Sequence, residues 1–297
     1  MPLIVSVQRE CLRKKFSWST CLLCVDACPG KALYFGKDNV TFEQKKCDQC
    51  GLCALVCPVN AISGSMPLRQ IEGDLLHSDP RTVPLVKELL LYHHAGVRHV
   101  HLNVSHTSWL PVIEEVNVLL VILNRPAFTV QQNDKPVEYV SSARRSLLGL
   151  RRRRPLSITN TALNEVFPGY RFYTLSLDED ACFLCGACKN VCPSQCIEIN
   201  KDAVSIQTHQ CIGCALCVDA CPKGALTMTG NVAAMESLLH PLKKYTCSCC
   251  ANTYSDFDGK SDKNQLCSTC KLRKNVGIPP QVIGQNSIAG LYRSRSW

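Results

Sequence analysis

The run C182-F-L-C185-G-A-C188-K-N-V-C192-P, followed eighteen residues later by C211-I-G-C214-A-L-C217-V-D-A-C221-P, decides how this chain folds. Each half has the C-x2-C-x2-C-x3-C-P spacing with which a short segment wraps a [4Fe–4S] cube. Two intervening residues let successive thiolates curl over one cube, and the proline turns the chain after the last cysteine. Two full copies at matched spacing leave a disulfide or purely structural reading of these eight cysteines with little support.

The pattern recurs upstream. C47-D-Q-C50-G-L-C53-A-L-V-C57-P is complete, and its partner run reads W18-S-T-C21-L-L-C24-V-D-A-C28-P. Eighteen residues again separate Cys28 from Cys47, and adding 164 carries the seven matched cysteines of the first unit onto the second. The chain is internally duplicated, which fixes the register of both units. Between the paired runs lie A32-L-Y-F-G-K-D-N-V-T-F-E43 and C196-I-E-I-N-K-D-A-V-S-I-Q207. Each is two short β-rich stretches around a Gly/Asn/Asp turn, which predicts a hairpin. Ile4–Val7 and Tyr173–Leu177 would supply a strand ahead of each unit.

Both units resemble bacterial two-cluster ferredoxins. The resemblance implies a small pseudo-twofold α+β fold in which a metal core substitutes for a large apolar one. It also implies that the fourth cysteine of each run crosses to the other cluster. The expected sets are Cys182, Cys185 and Cys188 with Cys221; Cys211, Cys214 and Cys217 with Cys192; and Cys47, Cys50 and Cys53 with Cys28. The fourth set, Cys21, Cys24 and Cys57, has Trp18 where its first ligand should stand. Cys11 is the nearest spare thiol and would reach that position if the seven residues before Trp18 loop out. Otherwise Cys11 is a buried small thiol, and three cysteines hold a [3Fe–4S] or labile cluster. The basic run Arg13–Lys15 would lie beside this cluster, favouring its more negative form, or would be a solvated loop. Cys196 falls where the first unit has Ala32 and reads as a packed small thiol.

Cysteine makes up 22 of 297 residues. Grouped cysteines favour metal over disulfides in a compartment that keeps thiols reduced. Met1–Lys15 shows no signal peptide, and the aliphatic run Val118–Leu123 is too short to span a bilayer. A soluble, cytoplasmic protein is the expectation. The formal charge of +9 invites a nucleic-acid reading, but it counts every thiol as neutral. Four cubes and one four-thiolate zinc site would add roughly −10, because metal ligands are deprotonated. The basic residues then offset the metals, and no nucleic-acid partner is expected.

Residues 67–140 contain no cysteine. Val83–His94 is helix-like, Val97–Asn103 alternates as a strand, Leu110–Leu123 is apolar at helical spacing, and Ala127–Gln131 reads as another strand. This αβαβ order predicts a small α/β domain with a parallel sheet. It resembles the α/β domain of hydrogenase- and heterodisulfide-reductase-type electron-transfer subunits. His93, His94, His99, His101 and His106 crowd together without acidic or thiol partners at metal spacing, so a metal or proton role stands beside a plain surface one.

Residues 141–169 form a basic linker whose Ser141–Pro155 stretch carries six arginines. Residues 144–154 are a candidate docking surface for an acidic redox partner, since complementary charge speeds encounter, or a solvated linker. The second ferredoxin-like unit spans 170–232, as residues 1–66 form the first. In 240–274, C247-S-C249-C250 and C267-S-T-C270 have zinc-ribbon spacing, so Cys247, Cys250, Cys267 and Cys270 are expected to close a tetrahedral site. A rubredoxin-like single iron is the alternative, although Ala251 and Lys271 stand where rubredoxins have glycine. Residues 275–297 read as an extended tail.

The overall expectation is α+β: two pseudo-twofold ferredoxin-like units flanking an α/β domain, with a zinc-ribbon-like C-terminus. No phosphate loop or dinucleotide fingerprint is present, so a catalyst is not expected. The leading function is a polyferredoxin-like carrier of single electrons between redox partners, with four [4Fe–4S] clusters and one zinc. Resemblance to ferredoxins that accompany formate dehydrogenases or hydrogenases points to an accessory subunit. A metalloenzyme assembly factor and a regulator sensing through the irregular cluster are the alternatives.

Overall fold

The computed structural model describes residues 5–36, 39–64, 66–80, 82–132, 159–259 and 266–275. The arginine-rich segment 144–154 and the tail beyond Asn275 lie outside the described residues.

In the first unit, β1 (Ser6–Val7) precedes two one-turn helices, α1 (Leu12–Lys15) and α2 (Leu23–Asp26). The expected hairpin follows as β2 (Leu33–Phe35) and β3 (Val40–Phe42), paired antiparallel with Leu33 opposite Phe42. Helix α3 (Leu52–Val56) carries Cys53, and β4 (Ile62–Ser63) returns antiparallel to β1. Buried Val5, Ala32, Leu33, Val40, Ala54 and Ile62 pack around the thiols of Cys24, Cys28 and Cys57. So few apolar side chains make a thin core, as expected where metal carries part of the cohesion.

The middle domain contains the expected αβαβ run with a parallel sheet, and a hairpin that was not expected stands ahead of it. A hairpin, β5 (Ile71–Glu72) and β6 (Leu75–His77), precedes α4 (Val86–His94), β7 (His99–Leu102), α5 (Leu110–Ile122) and β8 (Thr129–Gln132), giving ββαβαβ. The sheet order is β5-β6-β7-β8, antiparallel at the hairpin and parallel from β6 onward. The hairpin escapes sequence reading because its strands are too short to alternate, and Gly73 takes the left-handed turn (φ 67°). Helix α4 starts at Val86, not Val83, since Pro84 biases the residue before it to an extended backbone. Leu76, Val100 and Leu102 face the helices and join Leu89, Tyr92, Trp109, Ile113 and Leu120 in the largest core. His99 and His101 fall on one face of β7, as its alternation predicts. Glu88, fully buried, holds the Arg69 guanidinium in a two-pronged pair (2.7 and 3.1 Å), and Arg69 also donates to the Thr82 carbonyl and hydroxyl (2.8 Å each).

Helix α6 (Leu163–Val166) leads into the second unit. There β9 (Tyr170–Leu177), α7 (Ala187–Val191), β10 (Ile197–Ile199), β11 (Ala203–Gln207) and α8 (Leu216–Asp219) repeat the first unit's order, and β12 (Leu226–Ala234) closes back on β9. Strand β13 (Ser237–Thr246) then serves two modules. Residues 237–241 pair with β11, and residues 242–246 pair with β14 (Thr253–Phe257), ahead of α9 (Ser268–Asn275). The second ferredoxin-like unit and the C-terminal module are thus joined by one continuous strand.

Candidate metal centres

The four C-P turns share one geometry. Three residues beyond each terminal cysteine the backbone is left-handed, at Lys31 (φ 51°), Asn60 (52°), Gln195 (53°) and Gly224 (61°). Each of these residues donates its N–H to the carbonyl of its cysteine, at 3.1–3.3 Å. The next N–H then points back at sulfur: Ala32 to Cys28 Sγ (3.2 Å), Ala61 to Cys57 Sγ (3.1 Å) and Ala225 to Cys221 Sγ (3.2 Å). The Cys196 N–H does the same for Cys192. Such N–H···S bonds stabilise thiolate and are one lever on a cluster's potential.

The regular C-x2-C loops add a second device. Gln49, Leu184 and Gly213 are left-handed, as are Gly51, Gly186 and Ala215 after the second cysteine. The N–H groups of Gln49 and Leu184 reach Cys47 Sγ (3.4 Å) and Cys182 Sγ (3.5 Å), and that of Gly213 serves Cys211. At Gly213 only glycine fits, since a Cβ would lie 2.2 Å from the Tyr173 ring. The loop from Trp18 to Cys21 has neither left-handed position. With tryptophan in place of the first cysteine, the Thr20 N–H has no sulfur to meet and turns outward.

Thiol crowding shows which cysteines lie together. Burial first, then Cys21, Cys57 and Cys11, push Cys24 up to about 12. Burial, then Cys50, Cys28 and Cys47, push Cys53 up to about 12. In the second unit, burial and then Cys182, Cys185 and Cys221 raise Cys188 to about 11. Burial followed by Cys214, Cys196 and Cys192 takes Cys217 to about 12. Neighbouring thiols thus crowd around Cys24, Cys53, Cys188 and Cys217, and Cys11 is among those around Cys24, with Cys21 and Cys57. Thiolates so crowded repel one another unless a cation lies among them, so the residues fit iron–sulfur clusters, whose ligands must be deprotonated.

Cys11 caps the start of α1, whose Leu12 is buried, while Trp18 is exposed and stacks on Phe16 at 5.0 Å. Arg13 donates to the Cys21 carbonyl (2.6 Å) and lies over the Phe35 ring (3.9 Å), so one charge of the basic run does sit beside this group. Lys87 lies near Cys57 of this group, donating to the Leu55 carbonyl (3.1 Å) and to Asn160. Burial pulls Lys87 down to about 8, against the upward pull of Cys57 and Glu165. Cys196 packs as a small thiol among Leu175, Ile197 and Ile206, with its sulfur 3.5 Å from that of Cys192.

At the C-terminus the Sγ atoms of Cys247, Cys250, Cys267 and Cys270 all lie within 4.8 Å of one another. Cys250 and Cys267 are 3.9 Å apart. A tetrahedral site with ~2.3 Å Zn–S bonds has edges of about 3.8 Å, so the geometry suits a single ion rather than a cube. Burial would raise Cys247, but the backbone N–H groups of Cys267, Cys250 and Cys249 outweigh it and bring the thiol down to about 6. Cys249, outside the two ribbon pairs, places its thiol against that of Cys270. Among the described residues this is the one group within reach of a single ion. Three of the five clustered histidines bond elsewhere, His93 to the Pro126 carbonyl (2.9 Å), His106 to Ser78 (2.8 Å) and His99 to Thr129, while His94 lies edge-on to Phe167 and His101 Nδ1 is buried without a hydrogen-bond partner. No helix among the described residues is long and apolar enough to cross a membrane.

Comparison with known protein families matches the second unit and the second half of the first. Residues 176–228 match the 4Fe-4S dicluster domain, and residues 40–63 match the 4Fe-4S binding domain. A ferredoxin of Rickettsia felis is 33% identical over 61 residues, covering 20% of this chain and 51% of that protein. A protein named Ferredoxin 7Fe, from Hydrogenibacillus schlegelii, is 41% identical over 39 residues, or 13% of this chain and 50% of its own length. A ferredoxin of Alicyclobacillus acidocaldarius is 44% identical over 39 residues, with the same coverage. The chain thus spans about half the length of the curated relatives it matches. Cysteine spacing, turn geometry and these likenesses agree that it carries two ferredoxin-type 4Fe–4S domains.

Proposed function

We propose that this chain is a multi-cluster carrier that passes single electrons between redox partners, as an accessory subunit or shuttle for a larger oxidoreductase such as a formate dehydrogenase or hydrogenase. What supports this reading is the pair of ferredoxin-type 4Fe–4S domains, together with the crowding of other thiols around Cys24, Cys53, Cys188 and Cys217, Cys11 being among those around Cys24. We assign Cys182, Cys185, Cys188 and Cys221 to one [4Fe–4S] cluster, and Cys192, Cys211, Cys214 and Cys217 to the next. Cys28, Cys47, Cys50 and Cys53 hold a third, and Cys11, Cys21, Cys24 and Cys57 the irregular fourth. Cys247, Cys250, Cys267 and Cys270 hold zinc.

A bound iron–sulfur cluster supplies a one-electron couple. The polypeptide binds it, excludes water and sets its potential. The Ala32, Ala61 and Ala225 N–H groups stabilise sulfur charge. Lys87 and Arg13 place positive charge beside the irregular group. In this reading the protein acts in the reducing cytoplasm, without catalysis of its own, and the basic stretch 144–154 docks an acidic partner protein.

Cys11 gives the sharpest test. Cys11→Ala is expected to change the spectrum of one cluster and to cost that site one to all of its roughly four irons, leaving the other three intact. Iron analysis with EPR on anaerobically purified protein reads this directly. An unchanged iron count and spectrum would remove Cys11 from the ligands.

A further inference from the structure

Two separate bridges cross between the ferredoxin-type units, and both end at the same two cysteine groups. The first is Thr20. Its backbone N–H and its hydroxyl donate to the two carboxylate oxygens of Asp219, each at 2.7 Å. Thr20 directly precedes Cys21, and Asp219 stands midway between Cys217 and Cys221. The second bridge is the segment ahead of β9. Asn160 donates its amide to the carbonyls of Ala54 (2.7 Å) and Cys57 (2.8 Å), while Asn164 donates to the His209 carbonyl (2.8 Å), two residues before Cys211. Cys57 and Cys211 line the same cleft as Asn160.

The Trp18 exception explains why the first bridge exists. In the three regular loops the N–H at this position bonds the first cysteine's sulfur. At Thr20 that donor is free, and the second unit supplies its acceptor. We propose that Thr20 and Asp219 are positioning residues that join the two units into one electron path. It would run from the Cys47 group to the Cys11–Cys21–Cys24–Cys57 group, across to the Cys192–Cys211–Cys214–Cys217 group, and on to the Cys182 group.

Within each unit the groups already adjoin. Cys53 adds to the crowding of Cys24, and Cys188 to that of Cys217. Across the boundary Cys21 adds, behind burial and Cys192, to the raising of Cys214. One electron lost by one group is the electron gained by the next, so each transfer oxidises one site as it reduces its neighbour and needs no proton or third reactant.

The inference rests on the electron-carrier reading above, and the experiment separates the two. Anaerobically purified full-length protein is reduced stepwise, and magnetic broadening between clusters is followed by EPR. Broadening of second-unit signals that vanishes in Cys24→Ala, which disrupts the irregular group, reports contact across the boundary. Wild type is expected to show it. Asp219→Ala, which leaves the Asn160–Asn164 bridge in place, is expected to weaken it at unchanged iron content, and Thr20→Val, which keeps the backbone donor, to weaken it less. A wild type with full iron but no such broadening overturns the inference and leaves the carrier reading standing, as does full broadening in an iron-replete Asp219→Ala. A wild type lacking iron or reducible signals overturns the carrier reading itself. Should Asp219→Ala lose iron, the wild-type and Thr20→Val spectra still decide the matter.

Discussion

Removing the metal from Cys247, Cys250, Cys267 and Cys270 is expected to unfold the C-terminal module while sparing the rest of the chain. Among the described residues, the core around the four thiols contains only Tyr254, Leu266 and Cys249, with Phe257 buried apart from it beside His240. The β13–β14 hairpin adds a Tyr245–Tyr254 ring contact at 5.9 Å and an exposed Lys243–Asp258 pair. A structural zinc site contributes about 10–16 kcal/mol of apparent binding energy at neutral pH, far more than a two-stranded hairpin supplies alone. Because β13 is shared, the loss should stop partway along it. Hydrogen exchange after zinc chelation should show lost protection at Thr253–Phe257 and retained protection at Leu238–His240, where β11 is the partner. Protection of β14 unaltered by chelation would contradict a metal-stapled module.

Glu88→Ala is expected to cost about 3–5 kcal/mol, because it strands the Arg69 guanidinium as an uncompensated buried charge. Both side chains are almost wholly inaccessible to solvent, and the pair ties the start of α4 to the segment before β5. The double change Arg69→Met with Glu88→Leu should recover much of that loss, since apolar replacement of a whole buried pair is often near neutral. Thermal or denaturant unfolding of the cluster-loaded protein checks both. A loss below about 1 kcal/mol for Glu88→Ala, as for a surface pair, would contradict the burial argument.

The cysteine frame was legible because cluster chemistry ties spacing to geometry. The duplication exposed Trp18, and with it the question of Cys11, from residue spacing alone. The left-handed turns were less legible. Lys31, Asn60 and Gln195 are not glycine, and they take positive φ because the following N–H must reach a sulfur. The middle domain's helices and parallel strands follow from periodicity, whereas the β5–β6 hairpin does not, its strands being two and three residues long. Strand β13 was hidden by Pro241, which reads as an interruption. Lacking an N–H, it sits where the pairing passes from β11 to β14. The Thr20–Asp219 bridge and the Arg69–Glu88 pair link residues 199 and 19 positions apart, and long-range partners leave no mark on local pattern.

The central claim, four iron–sulfur clusters and one zinc on a duplicated frame, is tested most directly by counting metal. Protein purified under anaerobic conditions and assayed for iron, sulfide and zinc should contain about sixteen irons and one zinc per chain. A content near eight irons, all traced to the second unit, would contradict it.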